Sequence, residues 1–388
     1  MSLFVDQSFF LSLIALSLPA LILGYLEKPI APYGSLVSLI YVYLAMGKKP
    51  GALAFLALFL AIGYALDRGY LAVRMRWGRK TWLYRIFLFA SILPLALYKF
   101  SLAVNWQLHL FGFLGLSYMT FKSTQIIIQT YDGSIDRVSL WDFLYMNLFF
   151  PVLTSGPIDR SQRFSGDMHR VLPREDYMDL AGRGLQKILL GAIYKFALGA
   201  AFYHLYTNFG MKTDPKHILV YFYGYGFYLF FDFAGYSLMA VGASYLFGIE
   251  TPENFRAPFR SLDIIEFWDR WHISLSHWFR DFVFSRISMG LMKTKKFKNR
   301  LTVAGIAFFI NMGIMGVWHG TSPQYLIYGL YHGLLLTLTE VFHKKSKFYK
   351  KHRKEKWFKF LSWGITFHLV FFGFFIFSGR FMDLIKLK

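Results

Sequence analysis

The fold is decided by residues 301–342, which read LTVAGIAFFINMGIMGVWHGTSPQYLIYGLYHGLLLTLTEVF. Two apolar stretches, 301–318 and 323–342, are separated by only four residues, so the pattern predicts a tight hairpin of two membrane helices. His319 lies at the mouth of this hairpin. Its imidazole can transfer protons near neutral pH, and a membrane-embedded chain keeps ionisable groups mainly for function. A second interpretation stays open here, in which His319 anchors the turn at the headgroup level beside Trp318.

The composition of the whole chain is that of a membrane protein. Of its 388 residues, 55% are hydrophobic and 20% aromatic, and the mean hydropathy is +0.39, values that do not suit a soluble domain of this size. Runs long enough to cross about 30 Å of hydrocarbon occur at 9–26, 51–66, 84–104, 185–206, 218–249, 301–318, 323–342 and 357–378. Shorter runs occur at 35–46, 106–121 and 141–153. We therefore predict an all-α polytopic membrane protein with about eight to eleven crossings.

Three further sequence features limit which class of membrane protein this chain belongs to. The N-terminus does not resemble a cleaved signal peptide, because it has no Lys or Arg before Lys28 and carries Asp6. No internal repeat occurs at a fixed period, which weakens a transporter built from inverted repeats. The sequence has no cysteine, so disulfides and a cysteine acyl-enzyme are both excluded.

The net charge of +21 is concentrated in clusters at 74–85, 293–300 and 344–359. Basic clusters beside membrane spans mark the cytoplasmic side, and this rule accounts for the excess without nucleic-acid binding. The clusters can also bind anionic lipid headgroups, at about 1 kcal/mol per basic residue near the surface. An acidic soluble partner at the cytoplasmic face is compatible with the same charge.

Charge also orients the hairpin. The two segments that flank it, 293–300 and 344–354, are both strongly basic, so both should lie in the cytoplasm. The turn between the two helices then falls toward the extracytoplasmic side. We expect His319 there, about 27 Å of helix away from Leu301.

A second candidate segment, 266–282, reads EFWDRWHISLSHWFRDF. Its apolar residues recur at spacings of three and four, which predicts one amphipathic helix. Asp269, His272 and Ser276 fall on a neighbouring polar face, and Asp269 is close enough in sequence to orient the His272 ring. The helix either lines a polar cavity or lies in the membrane interface with its tryptophans as anchors.

Asp232 lies within YLFFDFAGYS, residues 228–237. An ionised carboxylate inside a membrane costs at least about 2.5–3.5 kcal/mol, so the side chain must face the protein interior or a partner. A structural and a catalytic role both stay open. The segment TSGPIDR, residues 154–160, is a helix-ending turn by its Gly-Pro pair, and Ser155 has no base nearby in sequence that would make it a nucleophile.

Together these segments resemble the membrane-bound O-acyltransferases, and among them the members that transfer D-alanine. RWHISLS and FDFAGYS make the resemblance specific, since WHG alone is a weak signal. The matching blocks follow the family's order and are 154–160, 230–237, 266–282 and 316–320. The likeness runs from about residue 84 to the C-terminus. The family's invariant histidine falls on His319 and its second histidine on His272.

The resemblance implies a ring of about 8–11 transmembrane helices around a thin central tunnel. It implies one integral membrane domain over 1–388, with N-terminal helices over 1–80 and an acyltransferase core over 84–378. The implied reaction takes D-alanine from a phosphopantetheine thioester on a cytoplasmic carrier protein. The acceptor is a hydroxyl on the extracytoplasmic side, on the route to D-alanylated lipoteichoic acid in Gram-positive bacteria.

The implied chemistry is direct acyl transfer, with His319 as general base, an effect worth about 10²–10⁴-fold in rate. His272 is the second polar group of the tunnel, and backbone amides or Asn311 are candidates for stabilising the oxyanion. The supporting residues predicted for the tunnel are Asp269, Asp232, Ser276, Asn311 and Trp318. Two other functions stay open: a polysaccharide O-acetyltransferase of the same family, and a transporter or flippase for a lipid-linked substrate.

The expected partners are an acidic carrier protein, membrane lipids and auxiliary membrane proteins of the same pathway, and not nucleic acid. No cofactor or metal is expected on the chain itself, because the carrier supplies the phosphopantetheine. A docking site for an acidic carrier should combine an apolar spot with basic residues, and 285–300 has both. The predicted docking residues are Arg286, Ile287, Met289, Leu291, Met292 and Lys293. Retention of this segment by positive-inside charge alone is the alternative.

Overall fold

The computed structural model describes residues 1–104, 112–297 and 299–385. Over these ranges the chain is helical, and its only β-structure is an isolated antiparallel bridge between Phe255 and Trp271. The all-α prediction is confirmed. Residues 106–111 of the predicted apolar run 106–121 lie outside the described residues.

The chain divides into two compact units, of which the first comprises Met1–Ala192 and Gly235–Pro252. Its helices are α1 (Gln7–Tyr25), α2 (Ala31–Met46), α3 (Pro50–Trp77), α4 (Thr81–Ala103), α5 (Leu116–Asp132), α6 (Leu140–Leu148), α7 (Ser161–His169) and α8 (Arg174–Ala192). Buried polar side chains join them by hydrogen bonds to backbone carbonyls. Lys122 on α5 donates from Nζ to the carbonyl oxygen of Met146 at 2.7 Å. Such bonds satisfy polar groups where lipid offers no partner.

The second unit comprises Ile193–Ala234 and Glu253–Lys388. It begins with a π-helix, Ile193–Gly199, followed by α9 (Ala200–Phe209) and α10 (Pro215–Leu246), whose last residues belong to the first unit. The remaining elements are α11 (Ile264–Trp268), α12 (Ile273–Phe279), a π-helix at Arg280–Phe284, α13 (Ser285–Lys293), α14 (Arg300–His319), α15 (Pro323–Lys345), α16 (Lys347–His352), α17 (Lys356–Phe377) and α18 (Arg380–Ile385).

Seven described helical runs are long and apolar enough to cross a membrane. They are Gln7–Tyr25, Pro50–Trp77, Thr81–Ala103, Arg174–Phe209, Pro215–Leu246, Arg300–His319 and Lys356–Phe377. Helix α15 has 23 residues, about 34 Å of helix, and is therefore also long enough to span. It is not among the seven runs because Gln324, His332 and several tyrosines make it more polar than they are. The chain is a multi-pass membrane protein, and the ring around a central tunnel stays a prediction.

The predicted hairpin is confirmed: α14 ends at His319 and α15 begins at Pro323. The two helices approach closely because small residues lie between them. A Cβ atom added at Gly329 would collide with the carbonyl oxygen of Met312. Small residues permit such backbone approach between membrane helices, and the approach fixes where the end of α14 lies.

Candidate active site

The segment 266–282 is not the single helix that its apolar pattern predicted. Helix α11 ends at Trp268 and α12 begins at Ile273. Between them, His272 adopts a left-handed backbone conformation with φ 45° and ψ 50°. This conformation costs a residue with a side chain about 1–2 kcal/mol, so other contacts must hold the turn in place.

Asn254 holds this turn from a distant segment. Its carbonyl oxygen accepts from the backbone N–H of Ile273 at 2.9 Å, and its Oδ1 accepts from the hydroxyl of Ser274 at 2.6 Å. Oδ1 also lies 3.3 Å from the Ser274 backbone nitrogen, which donates to it. The first N–H groups of a helix have no partner within that helix, so Asn254 caps α12. The sequence interpretation missed this residue, because a cap is recognisable only when it adjoins its helix.

His272 and His319 line one cavity of about 60 Å³, which has room for a few water molecules. Its other walls are Leu229, Phe233, Trp268, Trp271, Leu275, Tyr328, Phe374 and Phe377. His319 is the last residue of α14, and its ring meets Phe377 edge-on with 5.2 Å between centroids. The structure therefore brings together the two histidines that the sequence singled out.

His272 is held as a neutral base. Its side chain is 3% exposed, and neither ring nitrogen has a hydrogen-bond partner among the described residues. Burial, and secondarily the neighbouring His319, lowers the pKa of His272 to about 3. At neutral pH this imidazole can accept a hydrogen bond from a substrate, but it supplies no positive charge.

Asp269 does not orient His272, contrary to the prediction. Its carboxylate lies 3.7 Å from Nε2 of His277 and 3.5 Å from Nη1 of Arg280. The break after α11 is the cause, because it removes the one-turn spacing that would have brought Asp269 and His272 together. The Ser276 hydroxyl donates to the carbonyl oxygen of Trp271 at 3.1 Å, and Ser276 is not among the described residues that line the cavity.

The two supporting residues predicted on α14 have different positions. Trp318 adjoins His319, with 4.7 Å between ring centroids. Asn311 lies eight residues before His319, about 12 Å along the helix axis, and its Nδ2 lies 3.8 Å from the sulfur of Met312. The described residues that line the cavity do not include Asn311. The structure thus does not place this amide beside the two histidines.

Asp232 does have a charged partner, as its position in an apolar run required. It forms an ion pair with Lys195 of the first π-helix. The sequence interpretation missed Lys195, although two opposite charges in successive apolar runs were a detectable signal. Asp232 does not line the cavity among the described residues, whereas Phe233, next in sequence, does.

Residues 285–293 of the predicted docking segment 285–300 form α13, outside the seven spanning runs. None of the residues of α13 is buried. Met289 and Met292 are 45% and 46% exposed, and Lys293 ends the helix. An exposed apolar spot beside basic side chains is therefore present at this position.

Similarity to known proteins covers nearly the whole chain. The model of the membrane-bound O-acyltransferase family matches residues 80–379. A "Teichoic acid D-alanyltransferase" of Bacillus subtilis is 44% identical over 96% of this chain and 96% of its own length. A protein of the same name from Streptococcus thermophilus is 40% identical over 95% of this chain and 92% of its own length. A "Probable alginate O-acetylase AlgI" of Pseudomonas aeruginosa is 31% identical over 69% of this chain and 49% of its own.

Proposed function

The chain belongs to the membrane-bound O-acyltransferase family, and we propose that this O-acyltransferase transfers D-alanyl groups in the D-alanylation of teichoic acid. The relatives that match over almost their full length carry the name teichoic acid D-alanyltransferase. The alginate O-acetylases match only about half of their own length. Full-length similarity favours the D-alanyl group as the one transferred.

The donor in this proposal is a D-alanyl thioester on the phosphopantetheine of a cytoplasmic carrier protein, and the acceptor is a hydroxyl on the extracytoplasmic side. The basic clusters that flank the α14–α15 hairpin support this orientation, because positive charge marks the cytoplasmic ends of membrane helices. The His319 end of the hairpin is then the end nearer the acceptor. Auxiliary membrane proteins of the same pathway are further expected partners.

We place acyl transfer in this cavity because His272 and His319 both line it. His319 removes the proton of the attacking hydroxyl, whose oxygen forms a new bond to the thioester carbonyl carbon. The carbon–sulfur bond then breaks, and the departing pantetheine sulfur takes up the proton. His272 is neutral and its ring has no hydrogen-bond partner among the described residues. It accepts a hydrogen bond from the acyl-donor substrate or from the acceptor alcohol and orients that substrate. No acyl-enzyme is required.

A pair of histidine substitutions tests this assignment. We expect His319→Ala to abolish transfer from a loaded carrier in proteoliposomes, because the general base is lost, and His272→Ala to cause a smaller loss. His277→Ala is the matched control, since His277 lies on the same segment but outside the described cavity wall. Transfer by His319→Ala at more than a tenth of the wild-type rate would refute the general-base role. If His272→Ala alone is inactive, the two roles are reversed.

The same assay separates the second candidate function, which the alginate O-acetylase relatives favour. A carrier loaded with an acetyl group competes directly with one loaded with D-alanine. Preference for the D-alanyl carrier supports the proposal. Preference for the acetyl group would assign the chain to O-acetylation.

Carrier docking is proposed on α13. An acidic residue at Met289 or Met292 should weaken carrier binding, because a carboxylate there would repel an acidic partner and remove apolar contact. Reversing the charge of Lys293 should mainly slow association and reduce its salt dependence. Met75→Glu is the matched control, since Met75 is an exposed methionine within the basic cluster 74–85. If only Met75→Glu weakens binding, the carrier docks at 74–85.

A further inference from the structure

His332 lies directly behind the wall of the cavity. It is on α15, and its side chain is 0% exposed. It contacts two residues that line the cavity. The indole Nε1 of Trp268 donates a hydrogen bond to its Nδ1 at 3.3 Å, and its ring centroid lies 4.6 Å from that of Tyr328.

This hydrogen bond fixes the tautomer of His332. An indole N–H is a donor only, so Nδ1 must be the unprotonated nitrogen and Nε2 must carry the hydrogen. Nε2 has no hydrogen-bond partner among the described residues. It faces Gly373 on α17, where an added Cβ atom would lie 2.6 Å from it. Burying an N–H without a partner lowers stability, so stability alone is a poor reason for a histidine here.

The bond also joins the two parts of the chain that carry the cavity histidines. Trp268 is the last residue of α11, immediately before the turn that contains His272. His332 lies on α15, the helix paired with α14, and α14 ends at His319. Across 64 positions of sequence, one hydrogen bond therefore ties the His272 turn to the His319 hairpin.

We propose that His332 is a positioning residue for acyl transfer: through Trp268 it sets the spacing between His272 and His319. This inference rests on the proposed function, because the spacing matters only if both histidines act on the reaction. A displacement of about 1 Å in an active site can cost about 10²-fold in rate. A change at His332 should therefore lower the turnover rate while leaving the apparent affinity for the carrier unchanged.

The experiment compares four variants in the carrier-dependent transfer assay. His332→Leu removes the acceptor, and Trp268→Phe removes the donor. His332→Asn keeps an acceptor oxygen close to where Nδ1 lies. The fourth variant combines His332→Leu with Trp268→Phe. His368→Leu is the matched control, because His368 is exposed on α17 and its Nδ1 bonds to the Gly364 carbonyl of its own helix.

We expect His332→Leu and Trp268→Phe each to reduce kcat about tenfold or more with KM for the carrier unchanged. The double variant should be no worse than the single ones, because both remove the same bond. His332→Asn should recover to within about threefold of wild type. Thermal unfolding of each purified variant identifies any that fail to fold. If His332→Leu does not fold, His332→Asn and Trp268→Phe decide the outcome together. Trp268 also lines the cavity, so the inference then requires both the loss in Trp268→Phe and the near wild-type turnover of His332→Asn.

Wild-type turnover in Trp268→Phe would overturn the inference. So would losses that multiply in the double variant, or a folded His332→Asn protein as slow as His332→Leu. A purely structural role would lower the unfolding temperature of His332→Leu without the recovery by asparagine. The His319→Ala variant tests the proposed function separately. If His319→Ala is active, the assigned reaction is wrong. If His319→Ala is inactive and His332→Leu is fully active, only the role proposed for His332 is wrong.

Discussion

The Lys195–Asp232 ion pair provides a test of the fold that needs no assumption about catalysis. Both residues lie within runs long and apolar enough to span a membrane, Arg174–Phe209 and Pro215–Leu246. The side chain of Lys195 is 14% exposed and that of Asp232 is 37% exposed. The perturbation is Lys195→Met, which keeps the length of the side chain and removes its charge. It leaves an unpaired carboxylate inside the second unit.

The expected cost follows from the position of the pair. An aspartate at the centre of a membrane helix costs about 2.5–3.5 kcal/mol when it has no partner. More than a third of the Asp232 side chain is exposed, so rearrangement and local hydration should reduce the effect of losing Lys195 to about 1–2 kcal/mol. Asp232→Asn in the same chain removes the orphaned charge. The double variant should therefore recover to within about 0.5 kcal/mol of the wild-type stability.

The assay is thermal unfolding of the purified protein in one detergent, with acyl transfer measured in parallel. Lys195→Met should lower the unfolding temperature by a few degrees, and the double variant should restore most of it. A Lys195→Met protein as stable as wild type would refute the reasoning, as would a double variant no more stable than the single one. Activity then separates the two roles of Asp232. Transfer recovered in the double variant indicates a structural carboxylate, and transfer still lost indicates a direct part in the reaction.

Three further outcomes are expected. Cysteine introduced at Ser322 should react with an impermeant reagent in intact cells, and cysteine at Ser346 only after permeabilisation; labelling of both from one side would remove the hairpin orientation. Asn254→Ala should destabilise the protein by about 1 kcal/mol through the lost cap of α12, measured by unfolding, and an unchanged unfolding temperature would contradict that role. Because the pKa of His272 is lowered to about 3, the folded state binds fewer protons than the unfolded one below about pH 6.5, and stability should fall as the pH drops through that window. A His272→Asn variant should lose less stability on acidification, and equal losses would argue against a buried neutral histidine.

The hairpin and its histidine were predictable from the sequence because their causes are local. Hydropathy over about twenty residues identifies a membrane helix, and His319 directly follows such a run. The break at His272 was not predictable in the same way. Spacings of three and four describe a helix face only while the backbone stays helical. Here the backbone leaves that path because Asn254, 20 residues from Ser274, satisfies the first N–H groups of α12, and because Phe255 pairs with Trp271.

The role of His332 was not predictable from the sequence for a different reason. It lies within the apolar stretch 323–342, and the physical rule that singled out His319, that ionisable groups inside a membrane are costly and mark function, applies to it equally. What the sequence does not contain is the partner, since Trp268 is 64 positions away and the two meet only because α11 and α15 pack together. Lys195 and Asp232 form their pair in the same way, across two helical runs. In a membrane chain, then, an isolated polar residue within an apolar run can be identified from sequence, whereas its role depends on which other run supplies the partner.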